Sequence, residues 1–279
     1  MGLGGYLTWT AAAREIRRRT GAKVMPFEQH GHAFKLIKSP IFYNNPNISQ
    51  EYTGEFLIPM QLNNPDSNYC KKDMPDRCVQ RGDKHIIEQI CEVYGIQDPE
   101  LRCDIFLTKE EVDFVDNILS KSVGRNPFLT IEPHSNCEYT VNRRYPFEKW
   151  QSVVNELCKK FNVIQIGNEN SRVLSGVIDL TGKTSFRHAA GIIGRSDLFL
   201  SSEGGLVHAA TSQDTPSLVL ITDYETEKMV AYPQNININI GRGHGPCGMK
   251  IKCDECEKDA NSHDHKEILD KAMYFLETA

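Results

Sequence analysis

From residue 128 to residue 223 the chain alternates short apolar runs with segments of helical periodicity. Runs of consecutive Val, Ile, Leu and Phe are typical of strands buried on both faces, and helices between such strands indicate a parallel sheet. The first helical segment predicts one apolar face, because its large residues recur at steps of three and four: Phe147, Trp150, Val154, Leu157 and Phe161. We therefore expect a doubly wound α/β half here.

The part of the chain before residue 124 is less regular. It predicts, in order, a helix over 6–20, a strand over 22–27, a short helix near Phe34, Pro- and Asn-rich loops over 40–81 with one strand at 56–60, and helices over 84–94 and 109–120. A last helix is expected over 266–277. We predict an N-terminal domain of residues 1–124 and a C-terminal domain of residues 125–265.

The composition excludes several classes of protein. With 279 residues, of which 39% are hydrophobic and 25% charged, the chain has the make-up of a globular protein. Its net charge of −5 argues against a general nucleic-acid binder, and no apolar run approaches the roughly 20 residues that cross a bilayer. Nine cysteines, an odd number, fit reduced thiols better than a disulfide framework. We expect a cytoplasmic protein without a nucleic-acid partner.

Residues 197–208, D-L-F-L-S-S-E-G-G-L-V-H, predict an apolar strand, an acidic turn with two glycines, and the start of a helix. Glycines let backbone N–H groups approach a ligand closely, a helix start carries unpaired donors, and the carboxylate of Glu203 can accept hydrogen bonds from hydroxyls. Such a turn fits a phosphorylated or sugar ligand. Taken alone, it is more often an ordinary strand-to-helix turn of an α/β domain.

Further segments turn this weak signal into a family pattern. They are I-E-P-H-S-N, R-R-Y-P-F-E-K-W, I-Q-I-G-N-E-N and L-T-G-K-T-S-F, followed by S-S-E-G-G-L-V-H-A-A. In order and spacing the chain resembles glycosyltransferase family 9, the ADP-heptose:lipopolysaccharide heptosyltransferase group. The resemblance implies a GT-B fold, in which two Rossmann-like domains face a central cleft. It also implies that the last helix, 266–279, packs back on the N-terminal domain.

The resemblance assigns a donor site to the C-terminal domain. Glu203 would bind sugar hydroxyls, backbone N–H groups of Gly204 and Gly205 would face the diphosphate, and His208 matches the family's histidine. The family's phosphate-binding lysine corresponds to the pair Arg143 and Arg144, because arginine also grips phosphate. The residues placed against phosphate or nucleoside are Ser135, Asn136, Glu169 and Thr184. From the residues alone, a solvated arginine pair and ordinary loop residues remain alternatives.

On the acceptor side, the resemblance places Gly4 and Gly5 at the cleft and Arg14 and Arg18 on a basic helix towards an anionic acceptor. The family's proposed general base is an aspartate, whose place Gly5 takes, and the preceding strand of the family is missing from this chain. The base is therefore unknown. Three residues in the loop after the next strand are candidates: Glu28, His30 and His32. A solvated charged face and a surface turn are the alternatives.

The end of the chain brings three cysteines together with nearby histidines. Three thiolates and an imidazole would satisfy tetrahedral zinc, or iron, and we name Cys247, Cys253, Cys256 and His263 as ligands of a structural metal. Some family members carry a cysteine cluster here, which in certain protein heptosyltransferases is an iron site. Only one pair has the usual ligand spacing, so a loop with reduced thiols is the alternative.

The implied reaction is an inverting glycosyl transfer from a nucleoside diphosphate sugar, ADP-linked, to a glycan, lipopolysaccharide or protein hydroxyl. Cationic side chains and a helix start would stabilise the leaving diphosphate, so that catalysis requires no metal cofactor. An acceptor linked to lipid would bring the enzyme to the membrane surface as a peripheral protein. Two alternatives are a degenerate nucleotide-sugar-binding protein, which the glycine at position 5 favours, and a nucleotide-sugar epimerase.

Overall fold

The computed structural model describes residues 2–52, 54–67, 70–134 and 139–278. Its helices are α1 (Leu3–Thr20), α2 (Ile86–Glu92), α3 (Lys109–Ser122), α4 (Phe147–Leu157), α5 (Phe186–Ile193), α6 (Gly205–Thr211), α7 (Glu227–Val230), α8 (Asp254–Ser262) and α9 (Lys266–Thr278). Its strands are β1 (Lys23–His30), β2 (Ala33–Leu36), β3 (Leu57–Gln61), β4 (Cys70–Met74), β5 (Arg77–Gln80), β6 (Phe128–Glu132), β7 (Asn162–Gln165), β8 (Ile178–Asp179), β9 (Leu198–Ser202), β10 (Ser217–Ile221) and β11 (Ile236–Asn239).

The C-terminal half, residues 125–278, contains a parallel sheet in the order β8-β7-β6-β9-β10-β11. Every residue of β6, β9 and β10 is buried, as the continuous apolar runs predicted. Counted within this half, the order is 3-2-1-4-5-6, the doubly wound arrangement. The strand order reverses between β6 and β9, so the carboxyl ends of these two strands flank the crevice where ligands bind in such sheets.

The N-terminal half, residues 2–124, is built around α1, whose residues Leu7, Trp9 and Ala12 are fully buried. Beside it lies a sheet in the order β2-β1-β3, in which β1 is parallel to β3 and antiparallel to β2. The short helix predicted near Phe34 was wrong. The chain reverses at Gly31, which has a left-handed φ of 61°, and Phe34 returns in β2 opposite Gln29.

The loop region predicted over residues 40–81 contains β3, as expected, and also a hairpin that the sequence did not predict. Its strands, β4 and β5, are antiparallel, and Arg77 forms an isolated bridge with Met249. Backbone hydrogen bonds from Cys78 to Gly248 and from Lys250 to Asp76 fasten the hairpin to the C-terminal half. The hairpin therefore links the irregular N-terminal region to the cysteine-rich segment.

The two halves share an apolar core and a buried arginine. Arg187 of α5 has a side chain that is only 4% exposed, and it donates to both carboxylate oxygens of Glu111 on α3, at 2.6 and 2.7 Å. It also donates to the backbone carbonyls of Pro40, Tyr43 and Phe106. Planar guanidinium groups suit such a bidentate contact, so Arg187 fixes α5 against three segments of the N-terminal half.

The last helix requires a correction. We predicted that it packs on the N-terminal domain, but its buried residues Ile268 and Ala272 lie in a core cluster with Trp150 and Leu157 of α4. Lys160, three residues after the end of α4, forms an ion pair of 2.8 Å with Glu277 in the last turn of α9. The apolar stripe of α9 is therefore buried against the outer helix of the C-terminal half, on the side of the sheet away from the shared core.

Candidate functional site

Polar and charged side chains meet where β6, β9 and β10 end. Glu203 follows β9, Glu225 follows β10 after a short turn, and Arg143 lies in the segment between β6 and α4. Ser201 donates a hydrogen bond of 3.0 Å to the backbone carbonyl of Glu132, the last residue of β6. The strand order reverses between β6 and β9, so this group occupies the expected ligand-binding edge of the sheet.

Arg143 is the centre of the group. Its Nε contacts the carboxylate of Glu203, and its Nη2 donates to Oε1 of Glu225 at 2.5 Å. The side chains are 13%, 6% and 7% exposed, respectively. The guanidinium carbon lies 4.6 Å from the ring centroid of Tyr224 and 5.5 Å from that of Tyr139. The site therefore holds one cation between two carboxylates and two aromatic rings, largely removed from water.

The charges in this group shift one another's pKa values. Burial raises the pKa of Glu203 above its usual range, Arg143 opposes the shift, and Glu225 reinforces it. Burial also raises the pKa of Tyr224 although Arg143 is close. Burial disfavours the charge on Arg143, but Glu203 and Glu225 outweigh it and raise its pKa. The guanidinium therefore stays charged, whereas the carboxylates repel each other.

The predicted glycine turn lies against the start of α1. A Cβ atom added to Gly4 would come within 2.7 Å of the Cα of Gly205 and 3.7 Å of the ring of His208. Only a residue without a side chain permits this approach. Gly5 lies in the first turn of α1, where its carbonyl accepts a hydrogen bond from Thr8. The structure thus brings Gly4, one of the predicted acceptor-side glycines, into direct contact with the donor turn, and α1 covers part of the turn.

His208 does not offer both ring nitrogens to a ligand. Its Nδ1 lies 2.6 Å from the hydroxyl of Tyr232, which is also 3.5 Å from the Sγ of Cys103. The ring of His85 packs edge-on against Tyr232, with 4.7 Å between the centroids. Burial lowers the pKa of His208 to about 3 and that of His85 to about 4. Both histidines are therefore neutral at physiological pH.

The other predicted donor residues lie in different places. Glu169 is exposed and Thr184 half-buried, on loops that touch each other, since the amide of Gly182 donates to the carbonyl of Gly167. Arg144 is exposed, unlike Arg143, so only one member of the predicted pair joins the buried group. Two residues predicted to contact phosphate, Ser135 and Asn136, lie outside the described residues.

The two arginines of the predicted basic helix face form ion pairs within the protein. Arg14 forms an ion pair of 2.8 Å with the buried Asp104 and donates to the carbonyls of Glu100 and Arg102. Arg18 is 67% exposed and pairs with Glu15 on the same helix at 2.9 Å. Arg14 therefore holds α1 against the 100–104 segment and is not free to bind an acceptor.

Two of the candidate bases, Glu28 and His30, lie close to each other. His30 Nε2 lies 3.3 Å from Oε2 of Glu28, and the Glu28 side chain is 17% exposed. Burial and the carboxylate of Glu28 raise the pKa of Tyr6, the residue that follows Gly5. His32 is exposed. The Glu28 carboxylate therefore acts electrostatically on the first turn of α1, which contains Gly5.

The three cysteines near the end of the chain form a cluster. The sulfur atoms of Cys247, Cys253 and Cys256 all lie within 4.8 Å of one another, and those of Cys247 and Cys256 are 3.4 Å apart. The Cys256 thiol, which donates to Cys247, lowers the pKa of Cys247. Thiolates this close together form a donor set suited to a thiophilic ion such as zinc or iron. The cluster could bind a metal ion.

His263 is not part of this cluster, which corrects the prediction. Its Nδ1 lies 2.9 Å from the hydroxyl of Tyr145, and its Nε2 lies 3.2 Å from Glu267 at the start of α9. Both ring nitrogens are therefore occupied by side chains other than the cysteines. Proximity in the sequence suggested a ligand, but α8 ends at Ser262 and the next residues turn towards α4.

The cysteine segment is bonded to both sides of the Arg143 group. The amides of Cys247 and Gly248 donate to the carbonyls of Asp223 and Tyr224, which precede Glu225. On the other side, Asn142 donates to the carbonyls of Met249 and Ile251 and accepts from the amide of Cys253 at 2.8 Å. Asn142 immediately precedes Arg143. The cysteine segment therefore braces the two chain segments that carry Arg143 and Glu225.

Several residues of the site were not predicted from the sequence. Tyr224 and Glu225 follow an apolar strand of the parallel sheet, and this position at a carboxyl end is the signal that could have marked them. Tyr139, His85 and Tyr232 lie in segments without any recognisable motif. Only the folded structure brings these three side chains to the site.

The fold agrees with comparisons to known proteins. A model of glycosyltransferase family 9 (heptosyltransferase) matches residues 66–258. The chain belongs to this family, since the match covers more than half of it. Comparison with curated protein sequences finds no significant match.

Three solved structures share the fold. A family 9 glycosyltransferase from Veillonella parvula has a TM-score of 0.70 and 14% identity, with 100% of this chain and 95% of that chain covered. ADP-heptose lipopolysaccharide heptosyltransferase II of E. coli has a TM-score of 0.65 and 12% identity, with 98% and 96% covered. The iron-containing dodecameric TibC of enterotoxigenic E. coli has a TM-score of 0.63 and 12% identity, with 98% and 74% covered. The predicted family and its GT-B fold are therefore confirmed.

Among the described residues, no helix combines the length and apolar character needed to span a membrane.

Proposed function

We propose that the chain is an inverting glycosyltransferase that moves heptose or a related sugar from an ADP-linked donor to a hydroxyl of a glycan, a lipid-linked glycan or a protein. The observation that carries the proposal is the contact of Arg143 with Glu203 at the switch point of the parallel sheet. A related structure, that of TibC, contains ADP-D-β-D-heptose. The likeness supports an ADP-linked donor.

Arg143 and Glu203 have complementary roles in this reaction. As the bond to the anomeric carbon breaks, negative charge grows on the departing diphosphate, and a desolvated guanidinium stabilises it strongly. Glu203 accepts hydrogen bonds from the sugar hydroxyls and orients the anomeric carbon towards the acceptor. The amides of Gly204 and Gly205 approach the diphosphate, and Glu169 and Thr184 contact the nucleoside.

We assign the role of general base to Glu28, which would accept the proton of the acceptor hydroxyl. Its carboxylate raises the pKa of Tyr6, the residue after the position that the family's aspartate would occupy, and His30 lies 3.3 Å from it. A positioned base contributes roughly 10²- to 10⁴-fold to such a transfer. His30 orients the carboxylate. His32, which is exposed, serves as a control position.

The cysteine cluster is a structural metal site in this proposal. Cys247, Cys253 and Cys256 would hold zinc or iron, which would tie the segment after β11 to the strand ends that carry Arg143 and Glu225. When bound, the ion supplies a cross-link between chain segments. The transfer itself relies on Arg143, Glu203 and Glu28 and needs no metal.

The test is a transfer assay with ADP-D-β-D-heptose and a panel of glycan and protein acceptors. We expect acceptor-dependent ADP release, strongly reduced in Glu28→Gln and unchanged in His32→Ala. Donor binding by Glu28→Gln should match that of the wild type, which a merely structural change would not leave intact. Unchanged turnover in both Glu28→Gln and Arg143→Met would contradict the assignment.

A catalytically degenerate binding protein is the second candidate, and the contact between Gly4 and Gly205 favours it. This contact covers part of the donor turn, so the two helices must separate before a sugar reaches it. Calorimetric binding of ADP-D-β-D-heptose without turnover on any acceptor would support this reading. Isomerisation of the donor without an acceptor would instead indicate an epimerase.

A further inference from the structure

Tyr232 is a fully buried residue between α7 and β11, and its hydroxyl contacts the histidine of the predicted sugar-donor site. The Tyr232 oxygen lies 2.6 Å from Nδ1 of His208, and the two rings pack edge-on with 5.6 Å between their centroids. The contact joins the segment before β11 to helix α6, which follows the glycine turn. Tyr232 therefore fixes the orientation of the His208 ring.

The direction of this hydrogen bond decides which ring nitrogen of His208 carries the proton. A neutral imidazole has one N–H and one accepting nitrogen. Burial lowers the pKa of His208 to about 3, so the ring is neutral at physiological pH. Burial raises the pKa of Tyr232 well above its usual value, so the phenol keeps its proton. If the phenol donates to Nδ1, the single ring proton lies on Nε2.

The other polar groups around the Tyr232 hydroxyl are poorer acceptors than Nδ1. The sulfur of Cys103 is 3.5 Å away, and sulfur accepts hydrogen bonds only weakly. The hydroxyl of Thr211 donates to the carbonyl of His208 and already accepts from the amide of Cys103. His85, whose ring packs edge-on against Tyr232, accepts a backbone N–H at Nδ1 and so carries its own proton on Nε2. The phenol therefore donates to Nδ1 of His208.

The Nε2 side of the His208 ring faces the glycine turn. A Cβ atom on Gly4 would lie 3.7 Å from Cδ2, the ring carbon bonded to Nε2, and 2.7 Å from the Cα of Gly205. Within the part of the chain that the structure describes, no group accepts a hydrogen bond from Nε2. In the proposed function the amides of Gly204 and Gly205 approach the diphosphate here. An N–H donor without an acceptor at this place suits an anionic oxygen.

We propose that Tyr232 is a positioning residue for the donor diphosphate: its hydroxyl confines the proton of His208 to Nε2 and directs this N–H towards a phosphate oxygen. The inference rests on the proposed function, because it requires a diphosphate beside the glycine turn. The opposite tautomer would present a lone pair to the phosphate and repel it. The hydrogen bond at one ring nitrogen of a histidine generally sets the protonation of the other.

The first measurement is the tautomer of His208, read from the ring-nitrogen chemical shifts of the full chain labelled with ¹⁵N in histidine at about pH 7.5. The chain has nine histidines, and the spectrum of His208→Leu identifies the signals of His208. We expect a protonated Nε2 and an unprotonated Nδ1 in the wild type, and both tautomers in Tyr232→Phe. A protonated Nδ1 in the wild type would overturn the proposal even if Tyr232→Phe does not fold.

The second measurement is the affinity for ADP, determined by calorimetry. Without the tyrosine hydroxyl only a fraction of the molecules presents Nε2–H, and the affinity falls by that fraction. We expect Tyr232→Phe to bind ADP roughly three- to tenfold more weakly. The matched control is Tyr145→Phe, which removes a similar contact of 2.9 Å between a buried tyrosine and Nδ1 of His263. This control should bind ADP like the wild type.

A double-variant cycle tests whether Tyr232 acts through His208. Tyr232→Phe should lower the ADP affinity of the wild type but not that of His208→Leu, because the histidine that Tyr232 positions is then absent. Equal losses in both backgrounds would show that Tyr232 acts independently of His208, and the proposal would be overturned.

The outcomes separate this inference from the proposed function. If the wild type binds ADP and Tyr232→Phe binds it equally well, the role of Tyr232 is overturned and the donor site remains supported. If the wild type binds none of ADP, UDP and GDP, the proposed function fails and the inference fails with it. A protonated Nε2 together with weaker binding by Tyr232→Phe alone supports the inference.

Discussion

Arg143 and Glu203, from two different strand-to-helix connections, form an ion pair whose side chains are only 13% and 6% exposed. The pair joins the segment after β6 to the turn after β9, the two connections that flank the reversal of strand order. Breaking a buried pair by removing one partner usually costs about 3–5 kcal/mol. The pair is therefore important for the stability of the site as well as for its chemistry.

Arg143→Met should lower the free energy of unfolding by about 3 kcal/mol at pH 8, because two carboxylates lose their counter-ion. Burial already raises the pKa of Glu203, and removing the cation raises it further. A raised pKa gives stability that is present at low pH and is lost as the pH rises. Urea denaturation should show a smaller loss of unfolding free energy, relative to the wild type, at pH 5.5 than at pH 8. An equal loss at both pH values would contradict the burial of charged carboxylates at this site.

Acid should destabilise the wild type through His85. Its pKa is lowered to about 4, so between about pH 6.5 and 4 the unfolded chain binds a proton that the folded chain does not. The free energy of unfolding should decrease by about 3 kcal/mol as the pH falls through this range. Asn caps helices well and can keep the bond that His85 accepts from Ile87. His85→Asn should reduce the pH dependence, and the part that remains comes from His208, whose pKa is lowered to about 3. Chemical denaturation at several pH values would measure the difference.

Gly4→Ala should force α1 away from α6. The added Cβ would come within 2.7 Å of the Cα of Gly205, which is backbone and cannot swing aside. Such overpacking typically costs about 1–3 kcal/mol. Gly2→Ala is the control, since its Cβ would meet nothing within 4 Å. Equal melting temperatures for the two variants would show that the helices are not in contact.

The cysteine cluster should bind one metal ion per chain. Elemental analysis of the purified protein should find zinc or iron, and Cys253→Ser should lose it together with several degrees of thermal stability, because metal binding and folding are coupled. Cys158→Ser is the control, since Cys158 lies outside the cluster and contacts the carbonyl of Gly176. Retention of the metal by Cys253→Ser would exclude this site.

Sequence patterns predicted the central strands and the first helix of the C-terminal half. Continuous apolar runs identified β6, β9 and β10, and the helical periodicity identified α4, because strands buried on both faces leave a strong local signal. The helix predicted over 109–120 corresponds to α3, which begins with a capping box between Thr108 and Glu111. The acidic glycine turn was predicted directly after an apolar strand, and Glu203 does follow β9.

Long-range partners could not be predicted in this way. An amphipathic stripe shows that α9 must bury one face, but it does not say against which helix, and the stripe in fact packs on α4. His263 is close to the cysteines in sequence, yet its ring bonds Tyr145. Glu225 lies close in sequence to two other acidic residues, and its contact with Arg143 became visible in the folded structure.

The most direct test of the account is the affinity of the folded protein for ADP-D-β-D-heptose, measured by calorimetry in the wild type, Arg143→Met and Arg195→Met. Arg195 pairs with Asp116 far from the turn after β9 and so controls for loss of a positive charge. We predict that Arg143→Met weakens binding roughly 10- to 100-fold, since a hydrogen bond to a charged group contributes about 1.5–3 kcal/mol. Arg195→Met should bind like the wild type. Equal affinity in all three proteins would contradict the claim that Arg143 and the Glu203 turn form the donor site.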